Sequence, residues 1–154
     1  MLFLEICSNG DWHAIVSIGG NCRKKNTIIE SFMGVTRYLH TAILVSDVEK
    51  AEAFYSQVLE LPKAERNLKF PGIWYQLGDY QIHLIEDENW QPVELNAQKW
   101  GRNPHLALAV DDLEAMKARL TEKGYPFQSS SSGRAALFTK DPDGNIIELR
   151  RDSP

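Results

Sequence analysis

The sequence contains little cysteine, no long hydrophobic run and no excess of positive charge. Cys7 and Cys22 are the only cysteines among 154 residues, and both lie within the first 32. Disulfides therefore cannot hold the remaining chain together, and such cysteine usage is typical of the cytoplasm. No apolar stretch approaches the roughly 20 residues that cross a bilayer, so we expect no membrane partner. A net charge of −4 lacks the basic excess typical of nucleic-acid binding, so we expect no nucleic-acid partner.

The chain does have the ordinary composition of a globular protein, with 43% hydrophobic and 25% charged residues. Its length suits one domain, which we assign to residues 33–154. We predict that residues 1–32 are an N-terminal extension, either disordered or the product of a misassigned start that precedes Met33. An alternative hypothesis is a short β-hairpin formed by residues 2–6 and 14–18.

An internal repeat is the most informative feature of the chain. His40 and His83 are separated by the same interval as His105 and Glu148, and one offset of 65 positions relates the two pairs. The ten residues that begin at His40 match those that begin at His105 identically at five positions. A period this long with only two copies predicts paired half-domains and not a solenoid.

Each copy begins with the pattern of a strand followed by a helix. Residues 37–45 and 104–110 are strand-like, and Asp47 and Asp112 follow them as candidate helix N-caps. The first predicted helix has an apolar stripe of Val48, Ala51, Tyr55 and Val58. The second has Leu113, Met116 and Leu120 and ends at Gly124.

Short strands and turns follow each predicted helix. Strands are expected at residues 73–77 and 81–85 in the first copy and at 135–139 and 145–150 in the second. Gly78-Asp79 and Asp143-Gly144 supply the turns between them. The fold class is therefore α+β, with two βαβββ modules at residues 36–88 and 103–151.

Side-chain alternation predicts that the four repeated polar residues share an open face of their sheets. Alternate residues of a strand point to opposite faces, so Thr41, Ile43 and Val45 would pack under the helix. His40 then shares the other face with Ala42. Alanines beside a histidine leave room for a ligand, whereas a packed core would hold larger side chains.

These four residues have the chemistry of a metal site. Glu148 is flanked by apolar residues, and a buried carboxylate must be paired, hydrogen-bonded or bound to a cation. Three imidazoles and one carboxylate suit one divalent ion of Fe, Mn, Ni, Co or Zn, without selecting among them. Four protein ligands, or three if His83 stays back, leave positions for water and for a small-molecule substrate that chelates through two oxygens.

Residues 38–148 resemble the vicinal oxygen chelate superfamily. The resemblance rests on residues 40–47, Phe54-Tyr55, residues 104–110 and residues 141–148. The superfamily includes glyoxalase I, extradiol dioxygenases, fosfomycin-modifying enzymes, methylmalonyl-CoA epimerase and bleomycin-binding proteins. The resemblance implies a cup-shaped mixed sheet with helices on its outer face. It further implies a homodimer, in which module two either folds back to complete the site within one chain or completes a site shared with the partner chain. It also implies that the metal ligands are His40, His83, His105 and Glu148.

The resemblance leaves the chemistry open. Glyoxalase I usually has a carboxylate where this chain has His83, and fosfomycin-modifying enzymes usually have a threonine where it has Ala42. We expect lyase or isomerase chemistry of the glyoxalase type, with Glu148 or His83 transferring protons. One alternative is an extradiol dioxygenase that uses His40, His105 and Glu148 as a facial triad. The other is a binding protein that sequesters a drug or metabolite without converting it.

Further residues are candidates for substrate binding. By strand parity Trp74 and Gln76 lie on the ligand side and could line the pocket. Arg102, Arg134 and Arg150 could hold a substrate carboxylate through paired N–H donors.

Overall fold

The computed structural model describes residues 3–6, 12–15, 34–67, 69–93 and 96–151. The chain divides into two units, Met1–Thr36 and Arg37–Pro154. In the first unit, β1 (Phe3–Ile6) pairs antiparallel with β2 (Trp12–Ile15). The hairpin hypothesis is therefore confirmed, except that the second strand begins at Trp12, two residues before the predicted range of 14–18, whose last three residues lie outside the described ones. The hypotheses of disorder and of a misassigned start concern mainly residues outside the described ranges and stay predictions.

The second unit contains two modules with the same order of elements. Module one consists of β3 (His40–Val45), α1 (Val48–Glu52), a π-helical segment (Ala53–Val58), β4 (Lys63–Ala64), β5 (Gly72–Leu77) and β6 (Tyr80–Glu86). Module two consists of a 3₁₀ turn (Trp100–Arg102), β7 (His105–Val110), α2 (Leu113–Glu122), β8 (Phe127–Ser129), β9 (Ala136–Lys140) and β10 (Ile146–Arg151). None of the helices in the described ranges combines the length and hydrophobicity needed to cross a bilayer.

Each module forms its own four-stranded mixed sheet, in the order β3-β6-β5-β4 and β7-β10-β9-β8. The first and last strands of each module are parallel neighbours, and Ala42 pairs with His83 as Ala107 pairs with Glu148. The offset of 65 thus relates the two registers, and the predicted α+β class with two βαβββ modules is confirmed. The strands β4 and β8 have only two and three residues, too few for side-chain alternation to reveal them.

The predicted helices form where their caps and apolar stripes place them. Asp47 accepts a hydrogen bond from the Lys50 amide, and Asp112 accepts two from the first turn of α2. Gly124 follows α2 with a φ of 76°, a left-handed conformation that glycine adopts without a steric penalty. Every residue of the two predicted apolar stripes is buried.

One hydrophobic core joins the helix faces of both sheets. It contains residues of α1, the π-helical segment and α2, together with alternate residues of the central strands. Tyr55, Tyr75 and Phe54 are its largest fully buried side chains, and the rings of Phe54 and Tyr125 connect the modules at 4.9 Å. Because the helices take this face of each sheet, the opposite faces, which carry the repeated polar residues, lie away from the core.

The turn at residues 141–145 fastens module two to module one. Asp141 accepts a hydrogen bond from the Tyr55 hydroxyl at 3.0 Å, and the Asn145 amide group donates to the Leu44 carbonyl at 3.0 Å. Burial raises the pKa of Asp141, although hydrogen bonds from Asn145 and Tyr55 act in the opposite direction. This turn, predicted from its sequence as a connection between strands, therefore also holds the modules together.

Candidate functional site

The four repeated polar residues form two separate pairs. His105 Nε2 lies 3.1 Å from Glu148 Oε2 in module two. In module one the rings of His40 and His83 are stacked, with centroids 4.3 Å apart. Within the described ranges of this single chain, no three side chains of His, Cys, Asp or Glu come close enough to hold one metal ion. The fold thus forms each half of the predicted ligand set and leaves the halves apart.

The geometry around His105 leaves a lone pair facing a carboxylate. His105 Nδ1 lies 2.7 Å from the Asn103 carbonyl oxygen. A carbonyl can only accept a hydrogen bond, so Nδ1 carries the proton, and in the neutral ring Nε2 is an acceptor. Nε2 faces Glu148 Oε2, which is also an acceptor, at 3.1 Å. Two acceptors at this distance require a positive charge between them, which a proton or a metal ion supplies.

Glu148 itself is buried, and the hydrogen-bonding capacity of its carboxylate is not fully used. The residue is 5% exposed, and its Oε1 atom has no hydrogen-bond partner. The nearest cation is the guanidinium of Arg134, whose Nη2 atom lies 3.8 Å from Oε1. Leaving a buried carboxylate oxygen without a hydrogen bond is costly, because an ion pair at this distance compensates its desolvation only in part. The His105 and Glu148 pair therefore fits a divalent cation.

His83 in module one is the middle ring of a three-ring stack. Trp74 packs on it at 4.2 Å with an interplanar angle of 11°, and His40 packs on the other side at an angle of 10°. An ion bound about 2.1 Å from an imidazole nitrogen lies near the plane of that ring. Two nearly parallel rings cannot both direct lone pairs at one ion, so His40 or His83 must turn before the two bind it together.

A chain of hydrogen bonds fixes the tautomer of His83. Gln76 Nε2 lies 2.6 Å from the Gly78 carbonyl oxygen, which identifies it as the amide nitrogen that donates. Gln76 Oε1 then accepts from Gln81 Nε2 at 2.6 Å, so Gln81 Oε1 is the atom 2.8 Å from His83 Nε2. His83 must donate from Nε2, and its lone pair is on Nδ1.

The surroundings of His83 favour its neutral form. Its pKa is lowered, mainly by burial and then by the nearby charges of His40 and Arg66. A histidine must be neutral to bind a metal ion, so this shift is compatible with the predicted ligand role.

A cavity of about 520 Å³, lined mostly by polar residues, lies near the His105 and Glu148 pair, although neither of these two residues lines it. Arg102 and Arg134, predicted separately as substrate contacts, both line it, together with a serine-rich segment at residues 129–132. Phe138 connects the cavity to the pair, since its ring also lines the cavity and packs edge-on against His105 at 5.5 Å. Arginines on the wall of such a cavity can hold an anionic group of a ligand.

A second, largely apolar cavity of about 580 Å³ lies between β3 and the strands β7 and β10. His105 and Trp90 are among its lining residues. Neither Arg102 nor Arg134 lines this cavity. Arg150 is exposed on β10, beside Ala109 and Ala136 in the sheet register.

Sequence reasoning placed the ligand-face residues and missed those that orient them. Trp74 and Gln76 lie on the expected face, where Trp74 stacks on His83 and Gln76 bonds to Gln81, and neither lines the two cavities described above. The sequence patterns assign no role to Asn103 or Gln81. Their functions depend on which atoms face which, and no spacing in the sequence encodes that.

The chain can be compared with known proteins through its duplicated modules, their identical registers and the paired polar residues. A sequence profile of the Glyoxalase/Bleomycin resistance protein/Dioxygenase superfamily matches residues 37–149. The chain belongs to this superfamily. The resemblance predicted from the sequence motifs is therefore confirmed.

Individual proteins show what the chain is similar to. A protein of Vibrio cholerae named "Probable lactoylglutathione lyase" is 29% identical over 124 residues, which cover 73% of this chain and 88% of that protein. The crystal structure of lactoylglutathione lyase from Agrobacterium tumefaciens is 20% identical, with a TM-score of 0.54, covering 75% of this chain and 92% of that one. TnmS3, an antibiotic binding protein from Streptomyces sp. CB03234, is 28% identical, with a TM-score of 0.58 and coverages of 79% and 99%.

Proposed function

We propose that this protein is a metal-dependent lyase of the glyoxalase type that acts on a thiol adduct of a 2-oxoaldehyde. The observation that carries the proposal is the His105 and Glu148 pair, in which two facing acceptor atoms need a cation between them and the buried Glu148 Oε1 atom has no hydrogen-bond partner. The similarity to proteins named lactoylglutathione lyase supports the substrate class.

The predicted ligand set of the metal is His40, His83, His105 and Glu148. In module two the lone pair of His105 Nε2 and the Glu148 carboxylate are already directed at each other. A divalent ion bound there would stabilise negative charge that develops on two adjacent oxygens of a substrate. The choice among Fe, Mn, Ni, Co and Zn stays open, because nitrogen and oxygen donors accept all of them.

Glu148 is the proposed proton carrier, and His83 is the alternative. Glu148 Oε1 is buried and without a hydrogen-bond partner, so it can take up a proton without breaking an existing bond. A proton leaves the carbon that bears sulfur and hydroxyl, and one returns to the neighbouring carbonyl carbon. The hydroxyl oxygen of the first carbon loses its proton, and the former carbonyl oxygen of the second gains one. The hemithioacetal then becomes a 2-hydroxyacid thioester, and no external oxidant is needed. Arg102 and Arg134 would hold carboxylates of the thiol portion in the polar cavity.

We propose that the complete site is shared between two chains of a homodimer. Each chain presents its ligand pairs on sheet faces directed away from its own core, and these pairs do not meet within the described part of one chain. A second copy related by two-fold symmetry can place its module two opposite module one of the first, and the symmetry creates two such sites.

Metal analysis, an activity assay and subunit mixing test the proposal. The purified protein should contain about one divalent ion per chain and convert the hemithioacetal of methylglyoxal and glutathione. His40→Ala and Glu148→Gln should each be inactive alone. When the two are unfolded and refolded together, half of the dimers are mixed and each has one intact site, so about a quarter of the activity should return. No return of activity in a mixture shown to contain mixed dimers would contradict the shared site.

A second candidate is a binding protein that sequesters a planar ligand. The flat stack of Trp74, His83 and His40 favours it, because such rings offer a face for aromatic stacking and, as arranged, do not chelate one ion. The similarity to the antibiotic binding protein TnmS3 also supports it. Stoichiometric ligand binding that is unaffected by chelators, without turnover, would favour this candidate. Iron content with oxygen uptake on a catechol-like substrate would instead favour the dioxygenase alternative.

A further inference from the structure

A 3₁₀ turn lies on the sheet face of module two that carries Glu148. The turn consists of Trp100–Arg102, and the Trp100 amide donates a hydrogen bond to Gln128 Oε1 at 3.2 Å. Gln128, Phe138 and Glu148 are neighbours in the register of β8, β9 and β10, so their side chains share this face. The turn also contacts β10, so it covers the part of the sheet next to Glu148.

Gly101 in this turn approaches the Phe138 ring very closely. A Cβ atom at residue 101 would lie 2.5 Å from Phe138 Cζ and 2.9 Å from both Cε1 and Cε2. Because the two Cε distances are equal and only slightly longer than that to Cζ, this position lies over the face of the ring. Carbon atoms in ordinary contact are about 3.5 Å apart, so a side chain at residue 101 would force the turn and the ring about 1 Å apart. The φ of Gly101 is not positive, so the close approach, and not the backbone conformation, requires glycine here.

The Phe138 ring is less free to move than the turn above it. Phe138 is 7% exposed, lies beside Glu148 in the sheet register and packs edge-on against His105 at 5.5 Å. Gly101 and Arg102 are both exposed, so the turn has solvent on its outer side. We therefore expect an added side chain at residue 101 to lift the turn rather than to displace the ring.

We propose that Gly101 is a positioning residue that lets the turn rest on Phe138 and thereby places the Arg102 side chain in the cavity near the His105 and Glu148 pair. Arg102 directly follows Gly101 and lines that cavity. A guanidinium holds an anionic group through directed N–H donors, so its distance from the sheet determines whether it reaches a ligand bound at the pair. The consequence for a substrate rests on the proposed function, whereas the position of the turn does not.

The test compares the effect of Gly101→Ala in wild type with its effect in the Phe138→Leu background. Leucine has the carbon positions of phenylalanine as far as Cδ1 and Cδ2 and lacks Cε1, Cε2 and Cζ, the three atoms that an alanine Cβ would meet. In wild type, Gly101→Ala should speed hydrogen exchange of the Trp100 amide, because the lifted turn weakens its bond to Gln128. In the Phe138→Leu background the same substitution should leave this exchange rate nearly unchanged, since the two positions are coupled through the ring.

Kinetics with the hemithioacetal of methylglyoxal and glutathione give a second readout. In wild type, Gly101→Ala should raise KM about 10-fold to 100-fold, the loss expected for a hydrogen bond to a charged group, and change kcat less than about twofold. In the Phe138→Leu background it should raise KM less than about threefold. A merely destabilised fold would instead reduce the amount of active protein and leave KM unchanged.

Three results would overturn the proposal. They are an unchanged Trp100 exchange rate in folded Gly101→Ala, equal effects of Gly101→Ala in the two backgrounds, and a fall in kcat with KM unchanged, which would place the effect on the His105 and Glu148 pair.

Two further outcomes are also decisive. If Gly101→Ala does not fold in wild type, the Phe138→Leu background decides alone, where a nearly unchanged exchange rate and KM support the proposal and faster exchange or a raised KM contradicts it. If wild type does not convert the adduct, the proposed function fails, and the exchange measurement still decides whether Gly101 sets the position of the turn.

Discussion

The two modules share one scaffold and differ in what they place on it. Their first and last strands pair in the same register, so Cα positions related by the offset of 65 are equivalent. Module two carries a buried carboxylate beside a histidine, whereas module one carries two histidines stacked with Trp74. The duplicated backbone thus determines where the candidate metal-binding side chains lie. The surrounding side chains determine whether their lone pairs are oriented for binding an ion.

The hydrogen-bond partners that orient His105 and His83 also differ between the two modules. The Asn103 carbonyl leaves the lone pair of His105 on Nε2, and the Gln81 amide leaves that of His83 on Nδ1. The first partner is a main-chain atom, and the second is a side chain held by Gln76. Module two is therefore the more preorganised half of the proposed site.

The largest expected difference between the modules comes from their ligands. Glu148→Gln should abolish stoichiometric metal binding and lower kcat/KM at least about 100-fold, because it removes both a charge and the proposed proton carrier. His83→Gln, at the equivalent position of module one, should cost about 10-fold, since His83 must first leave its stack. Metal analysis and steady-state kinetics measure both. A larger loss for His83→Gln would reverse the ranking of the modules.

A smaller effect is expected at the contact between the modules. Tyr55→Phe removes a buried hydrogen bond to Asp141 and should lower the free energy of unfolding by about 1–3 kcal/mol. Tyr75→Phe is the control within module one. Tyr75 is also fully buried, but its hydroxyl bonds to the half-buried Ser56 and not to a residue of module two. This substitution should cost about 0.5–1.5 kcal/mol. Urea unfolding compares them, and equal losses would argue against a special role for the contact between modules.

The smallest expected effect is the pH dependence of the stability that the hydrogen bond between Tyr55 and Asp141 contributes. The folded-state pKa of Asp141 is raised above its ordinary 3.8, mainly by burial, so the folded protein holds this proton more tightly than the unfolded chain. The resulting stabilisation is complete below the ordinary value and is lost as pH rises through the raised pKa. Tyr55→Phe removes a bond that lowers this pKa and should raise it further.

The stability loss caused by Tyr55→Phe should therefore grow as pH rises through the pKa of Asp141. Urea midpoints of both proteins from about pH 3 to pH 7 measure it, with Tyr75→Phe as a control whose loss should not vary across this window. A loss for Tyr55→Phe that is constant with pH would mean that the hydrogen bond does not depend on the charge of Asp141.

Much of the fold could be predicted because its signals are local or repeated. Each helix could be predicted from residues close together in sequence, namely the cap Asp47 or Asp112 and the apolar stripe that follows it. The structure confirms both helices. The repeat predicted two modules with equal registers, and strand parity assigned Trp74 to the ligand face. The strands β4 and β8 were not located from the sequence, because two or three residues are too few to show side-chain alternation.

The candidate site could be predicted only as a set of residues. The sequence alone determined that His40, His83, His105 and Glu148 stand at equivalent points of two modules, because strand periodicity fixes which residues share a face. Only the tertiary structure decided that the two pairs lie apart within one chain, that His83 is stacked, and that Asn103 and Gln81 orient the rings. These features depend on how modules pack and on which atom of a side chain meets which neighbour, and neither is a function of spacing along the chain.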